Sequence, residues 1–412
     1  MEQENKKKKR KKREKWMKFR HKAVRNLLWI FIKPLAIAMY GIKIEKFTEE
    51  GNRPYLILYN HQTAFDQFFV GLAFKQPVYY VASEDLFSNG FVSALIRWLV
   101  APIPIKKQAT DVTAVMNCMR LAKEGGTLAI APEGNRTYSG KTEYIAPSIA
   151  TLAKKIKLPI ALYRIEGGYG VQPRWSDKTR RGKMRSYVSK VIEPEEYASM
   201  SNEELYAWIV EGLYVNEGIA DALFKSGKKA EYLERAMYVC PYCGLSEFES
   251  NGNEIECKKC HRKLTYGEDK TLTGVGFEFP FKFVTEWYDA QKEFVSKLDL
   301  QPYYEKPMYV DKAKLSEVIV YKRKVVLDKD AEIKLYGNRI EINEGKENGM
   351  TFGFEDISAV SVLGRNKVNL YHDKRVYQLK SDKRFNALRY VNMYYHYKNI
   401  SKGESDNQFL GL

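Results

Sequence analysis

Between residues 54 and 164 short apolar runs alternate with stretches of helical period, and this alternation limits the fold more than any other feature of the chain. Residues 54–60, 77–82, 103–105, 127–131 and 159–164 read as strands, the first of them buried. Residues 62–74, 87–100, 111–124 and 145–156 read as helices, the third ended by Gly125 and Gly126 in the manner of a C-cap glycine. Strands alternating with helices imply an α/β domain whose central sheet is mostly parallel and flanked by helices.

From residue 238 the texture changes. A cysteine-bearing segment runs to about residue 265, and 280–298 has the period of an amphipathic helix, with Phe281, Val284, Trp287, Phe294 and Leu298 near one stripe. Short strands then follow at 318–321, 332–336, 339–342, 350–354, 359–363, 367–371 and 375–380, with a closing helix at 383–397. Many short strands closed by one helix suggest a small β-barrel or sandwich.

The net charge is +17, which points to a polyanionic partner: nucleic acid, an anionic membrane or a phosphorylated substrate. The charge is concentrated. Residues 1–25 hold thirteen Lys and Arg against three Glu, and the run from Lys6 to Arg13 repels itself and buries nothing. No secretory signal pattern is present. The apolar stretch after the tail is interrupted by Lys33-Pro34, so residues 26–42 read as an interfacial or re-entrant segment anchored by Trp29 and Tyr40. A polybasic run beside apolar helices suits an anionic leaflet.

His61 and Asp66 lie five positions apart, about 140° around one ideal helix, and so on different faces. They meet more easily if His61 sits at the strand-to-helix junction and Asp66 on the first turns of the helix. Asp66 then accepts a hydrogen bond from one ring nitrogen and leaves the other basic, aimed at a hydroxyl. A second element, Glu133-Gly134-Asn135-Arg136, follows the strand at 127–131. Its glycine permits an unusual backbone, and Arg136 can fork onto a phosphate. Taken alone, this element reads as a surface turn. The glycines of Gly167-Gly168-Tyr169-Gly170 either let backbone approach a ligand or form a plain loop.

Together these residues resemble the glycerol-3-phosphate/lysophosphatidate acyltransferase family over residues 25–215. Its N-H-x4-D block is matched by Asn60, His61 and Asp66, and its F-P-E-G-T-R-S block by Pro132, Glu133, Gly134 and Arg136, with Ala131 and Asn135 departing. Its G-x-x-F-x-x-R block is met by residues 101–107, with Ala101 for the glycine and Lys107 for the arginine, and its proline-containing strand by 158–162. The resemblance implies that His61 is a general base and Asp66 its orienting partner. It further implies that Asn60, Lys107, Glu133, Gly134 and Arg136 bind substrate, the last four shaping the acceptor's phosphate site. The implied donor is acyl-CoA or acyl carrier protein, and the acceptor a lysophospholipid, first of all 1-acylglycerol-3-phosphate. Lysine keeps the charge of the arginine at 107 but loses its fork, so another lysolipid or a glycolipid stays open as acceptor. An inactive membrane- or nucleic-acid-binding adaptor is the alternative of a different class. Cys118 reads as a small core residue.

Cys240-x-x-Cys243 and Cys257-x-x-Cys260, thirteen residues apart, carry the pattern of a zinc ribbon in a reducing compartment. Four thiolates close a tetrahedral shell, so one structural Zn2+ is expected, with His261 surplus and solvated. Lys258, Lys259, Arg262 and Lys263 form a short basic cluster with few aromatics, which disfavours nucleic acid as partner. The C-terminal strand series with its closing helix resembles bacterial PH-like domains, in pattern and not in motif. The chain is therefore divided into a polybasic tail (1–25), a membrane-associated helical segment (26–50), an acyltransferase domain (51–235), the ribbon (236–266), a linker with an amphipathic helix (267–312), a PH-like domain (313–402) and a tail (403–412). A cytoplasmic membrane face, peripheral or monotopic, is the expected location.

Overall fold

The computed structural model describes residues 15–105, 111–219, 222–319 and 324–403. Lys107 and the run from Lys6 to Arg13 lie outside the described residues.

The chain opens with helix α1 (Phe19–Tyr40), which runs unbroken through Lys33 and Pro34. This corrects the expectation of a segment interrupted there. The helix continues and forgoes the bond that an N–H at position 34 would give to Ile30. At 22 residues it is long and apolar enough to cross a membrane. Phe19, Leu27, Ile30, Phe31 and Leu35 are exposed on it.

The α/β part follows as β1 (Ile42–Ile44), β2 (Leu56–Tyr59), α2 (Asp66–Ala73), β3 (Val78–Ser83), α3 (Phe91–Val100), β4 (Ile103–Ile105), α4 (Val112–Lys123), β5 (Thr127–Ile130), α5 (Ser148–Ile156), β6 (Ile160–Glu166), α6 (Gly168–Val171), β7 (Met184–Ile192), α7 (Pro194–Ala198) and α8 (Asn202–Leu213). The seven strands order as β1-β7-β6-β2-β5-β3-β4. Every neighbouring pair is parallel except β6 with β7. Because β1 pairs with β7 and Ala36 and Tyr40 of α1 are buried in the core, this unit reaches back before residue 51.

Strand β2 is buried along its whole length, as a central parallel strand covered on both faces must be. Leu56 and Leu58 point to the layer of α4, α5 and α8; Ile57 and Tyr59 point to the layer of α1 and α2. The C-terminal ends of β6, β2 and β5 therefore emerge side by side on one edge. In parallel α/β sheets that edge is where loops gather to build sites.

The second half contains β8 (Val239–Cys240), β9 (Gly244–Leu245), β10 (Phe248–Asn251), β11 (Glu254–Cys257), β12 (Lys263–Tyr266), β13 (Leu272–Gly274) and α9 (Val284–Ser296). It continues as β14 (Tyr309–Glu317), β15 (Val325–Leu335), β16 (Arg339–Ile342), β17 (Met350–Gly353), β18 (Ala359–Leu363), β19 (Lys367–His372), β20 (Arg375–Lys380) and α10 (Leu388–Lys402). Strands β14 to β20 form a curled antiparallel half-barrel in the order β17-β16-β15-β14-β20-β19-β18. Of the strand expected at 318–321, Val318 and Ile319 follow β14, which ends at Glu317, outside any strand, and 320–321 lie outside the described residues. Helix α9 buries Val284, Trp287, Tyr288, Gln291 and Val295, while Phe294 is exposed.

The cysteine segment, α9, the half-barrel and α10 share one apolar core, which also takes in Tyr138 and Trp175 from the α/β part. Trp175 meets Tyr266 edge-on at 5.8 Å, and the Arg235 guanidinium donates to the carbonyl of Trp175 at 2.9 Å.

Candidate active site

His61 leaves the end of β2 and Asp66 opens α2, so a strand-to-helix junction of only six residues holds both. The imidazole Nδ1 lies 2.8 Å from Asp66 Oδ2. Asp66 is fully buried and accepts at the same time from the backbone N–H of Gln62 (2.6 Å) and Thr63 (2.9 Å) and from the Thr63 hydroxyl (2.6 Å). A carboxylate so surrounded by donors takes the Nδ1 proton as one more donor, which fixes the tautomer and leaves Nε2 with its lone pair.

The junction is held from outside as well. Glu133, at the end of β5, accepts the His61 backbone N–H at 2.7 Å on Oε1 and that of Glu143 at 2.8 Å on Oε2. The N–H of Thr137 returns to the His61 carbonyl at 3.3 Å. Burial pushes the Glu133 carboxyl up to about 8, while its two backbone N–H bonds, to Glu143 and His61, pull it down. Gly134 adopts φ +71°, a left-handed conformation that lets the loop turn at once after Glu133.

From the third adjacent strand, Asn60 is fixed to β6: its amide donates to the Ile165 carbonyl and accepts the Ile165 N–H, both at 2.8 Å. Asn60 is fully buried, and its polar atoms hold the end of β2 in place. The glycine stretch after β6 also finds its reason here. A Cβ on Gly168 would stand 2.5 Å from Cβ of Gln62 and 3.1 Å from Cγ2 of Thr63, so the glycine lets the side chains of the His61 junction come close.

Arg136 lies behind this loop, its guanidinium drawn down to about 10 by burial and by the neighbouring Arg174 and Arg365. Its Nη1 is buried and has no hydrogen-bond acceptor among the described residues. Sequence reasoning passed over Arg174, whose Nη1 donates to the Arg136 carbonyl at 2.8 Å, and Gln172, whose Oε1 accepts the Ala64 N–H at 2.9 Å. No motif marks them; the signal in sequence was their place just after the Gly167–Gly170 stretch.

Ala101 caps α3 at φ +42°, so the position where the acyltransferase block has glycine is one that needs a left-handed residue. Lys107 lies outside the described residues. Burial pushes the Cys118 thiol up to about 12, and it stays a core thiol inside α4.

His61 and Glu133 open onto a cavity of about 1880 Å³ that runs between α1, α3 and α4, lined by Trp29, Phe68 and Leu99 among others. Part of its wall comes from the second half of the chain, through Lys292, Ile357, Tyr394 and Tyr395. A base with an oriented ring, at the mouth of a long apolar cavity, can deprotonate a hydroxyl beside an acyl chain.

The four cysteines of the second half converge as well. Their Sγ atoms all lie within 4.8 Å of one another, with Cys240–Cys260 at 3.8 Å and Cys243–Cys257 at 3.6 Å. Bonds of about 2.3 Å from zinc to sulfur would put tetrahedral sulfur atoms about 3.8 Å apart, so the set fits such an ion. His261 is exposed and faces Glu256 at 3.0 Å, away from a ligand role.

Parts of the chain resemble known proteins. Residues 40–165 match the family model described as Acyltransferase. A 1-acyl-sn-glycerol-3-phosphate acyltransferase of Bacillus subtilis (strain 168) is 21% identical over 175 residues, 42% of this chain and 84% of that protein. A chloroplastic 1-acyl-sn-glycerol-3-phosphate acyltransferase of Brassica napus is 24% identical over 145 residues, 34% of this chain and 41% of that protein. The crystal structure of the 1-acyl-sn-glycerophosphate (LPA) acyltransferase of Thermotoga maritima aligns with 23% identity and a TM-score of 0.40, over 47% of this chain and 78% of that one. Residues 40–165 are thus an acyltransferase domain, and the chain is an acyltransferase enzyme.

Proposed function

We propose that the protein is a membrane-associated O-acyltransferase that moves an acyl chain from acyl-CoA or acyl carrier protein to the hydroxyl of a lysophospholipid, 1-acylglycerol-3-phosphate before others, giving phosphatidate. The observation that carries this reading is the 2.8 Å contact between His61 and Asp66 at the mouth of the apolar cavity. His61 Nε2 takes the proton of the acceptor hydroxyl as the oxygen attacks the thioester carbonyl. The tetrahedral adduct collapses, the C–S bond breaks, and the imidazolium returns the proton to the leaving thiolate. No enzyme-bound acyl group is required, because the thioester is already activated. Arg136 and Lys107 bind the acceptor's phosphate, and Glu133 and Gly134 shape the loop that bears Arg136.

The apolar sides of α1 and α3, with Phe31 and Ile30 on one and Phe91, Val92 and Trp98 on the other, form the membrane-facing surface, next to the cavity mouth. The polybasic residues before α1 hold an anionic leaflet, which places the protein on the cytoplasmic face. The four cysteines hold a structural zinc ion, and the half-barrel with α10 is a PH-like module. Nucleic acid is not a partner in this reading.

The test is an acyl-transfer assay with labelled acyl-CoA or acyl carrier protein and a panel of lysolipids, run beside His61→Ala. Transfer to lysophosphatidate that vanishes in the variant is expected. Transfer to a different lysolipid would keep the mechanism and change the acceptor. Retained turnover in the variant would sink the role given to His61.

A further inference from the structure

Arg174 lies outside every acyltransferase motif, yet it is among the largest fully enclosed side chains of the protein, 2% exposed. Its guanidinium carbon stands 4.2 Å from the centre of the Tyr138 ring, and its Nη1 is spent on the carbonyl of Arg136. Its Nη2 is buried without an acceptor among the described residues, and so are Nη1 of Arg136, Nδ2 of Asn135 and the hydroxyl of Tyr138. Buried donors left without acceptors are costly, and those of a charged group most of all. Here several gather within one loop and its neighbour.

The local charge is also lopsided. Arg365, on the turn between β18 and β19, reaches Asp177 at 3.0 Å, but Asp177 already receives Arg235 at 2.7 Å. Asp66, the carboxylate that attracts Arg136, is occupied by His61 and the junction backbone. Glu143 feels Arg174, though burial pushes its carboxyl up. Guanidinium groups outweigh the carboxylates available to them. A compact dianion with several acceptor oxygens matches both the orphan N–H groups and the excess charge, since forked donors fit phosphate oxygens.

We propose that Arg174, Arg136 and, from the half-barrel, Arg365 together form the site for a phosphate monoester beside His61, so that the C-terminal half of the chain takes part in selecting the acceptor. This rests on the reading of Arg136 given above and adds two residues that the acyltransferase motifs do not contain. The loop bearing Arg136 is tied to His61 on both sides, through Glu133 and Thr137, and its Glu133, Gly134 and Asn135 line the cavity onto which His61 opens. Acyl-CoA also carries phosphate, and the experiment separates the two sources.

The full-length protein, Arg174→Gln and Arg365→Gln are compared. In calorimetric titration with inorganic phosphate, without any turnover, Arg174→Gln should bind about tenfold more weakly than wild type and Arg365→Gln less tightly by a smaller factor. In the kinetic arm, both substitutions should raise KM for lysophosphatidate and leave KM for acyl-CoA unchanged. Equal phosphate binding in all three proteins, or none in wild type, would overturn the proposal. A rise in the donor KM alone would assign the phosphate to acyl-CoA and overturn it as an acceptor site. If Arg174→Gln loses its circular dichroism signal, Arg365→Gln decides, because that side chain is 32% exposed at the edge of the cluster. Wild-type protein that binds phosphate in an Arg174-dependent way but transfers no acyl group would refute the acyltransfer reading and leave the anion site standing.

Discussion

Glu133 Oε1 accepts the main-chain N–H of His61 at 2.7 Å, so the residue that holds the base in place comes from the turn after β5, 72 positions later in the chain. Burial raises this carboxyl to about 8 from an ordinary 4.5. Below the ordinary value both folded and unfolded chains keep the proton. Between about 4.5 and 8 only the folded chain keeps it, so this group's contribution to stability falls as pH rises through that window and is level above it. Thermal unfolding of wild type and Glu133→Gln from pH 4 to 9 should show wild type losing ground to the variant across the window. Parallel curves would show that Glu133 is ionised throughout.

Asp66→Asn should cut kcat by about 10²-fold or more, because an amide in place of the carboxylate no longer selects the Nδ1–H tautomer of His61. The acceptor KM should change little. Steady-state kinetics checks both, and an unchanged kcat would remove Asp66 from the orienting role.

Ala101→Gly should stabilise the protein by about 0.5–1 kcal/mol, since φ +42° is left-handed and glycine adopts it without the clash that a Cβ meets there. Chemical denaturation measures it. A loss of stability would mean that the Ala101 methyl makes contacts worth more than the backbone strain.

Metal analysis should find one zinc per chain. Its removal by chelator, or Cys257→Ser, should lower stability by about 3–5 kcal/mol and Tm by on the order of 10 °C. Because the ribbon shares its core with Tyr138 and Trp175, acyl transfer should fall with the same dependence on chelator. Full activity in metal-free protein would uncouple the two.

Ile30→Glu with Phe31→Glu should reduce cosedimentation with anionic liposomes by roughly a hundredfold, as two exposed apolar side chains are lost from the membrane-facing side of α1. Undiminished sedimentation would move the contact elsewhere.

The α/β alternation was legible because the strands from β2 to β6 are short apolar runs, with β2 buried along its whole length. The meeting of His61 and Asp66 was legible too, since six residues at a strand-to-helix junction leave few arrangements. Strand β7 was not, because it runs antiparallel beside β6 and alternates buried Met184, Ser186 and Ile192 with exposed lysine and arginine, so it lacks an apolar run. The strand at 318–321 was misplaced for the converse reason: the apolar run follows β14, whose own buried positions, Tyr309, Ala313 and Leu315, are separated by charged residues. The hold of Asn60 on β6 was not legible, because its partner, the Ile165 backbone, is 105 positions away. Arg174 carries no local pattern, as its contact with Arg136 forms only once the turns after β5 and β6 lie next to one another.

The core that joins Tyr138 and Trp175 to α9, the half-barrel and α10 also sets a schedule for the nascent chain. A ribosome adding about 5–20 residues per second needs on the order of 10–40 s to pass from Trp175 to the last apolar residues of α10. Early in that interval Trp175 still lacks Tyr266 and the rest of its cover, so the newly made acyltransferase domain completes this core only with residues encoded at the far end of its own message.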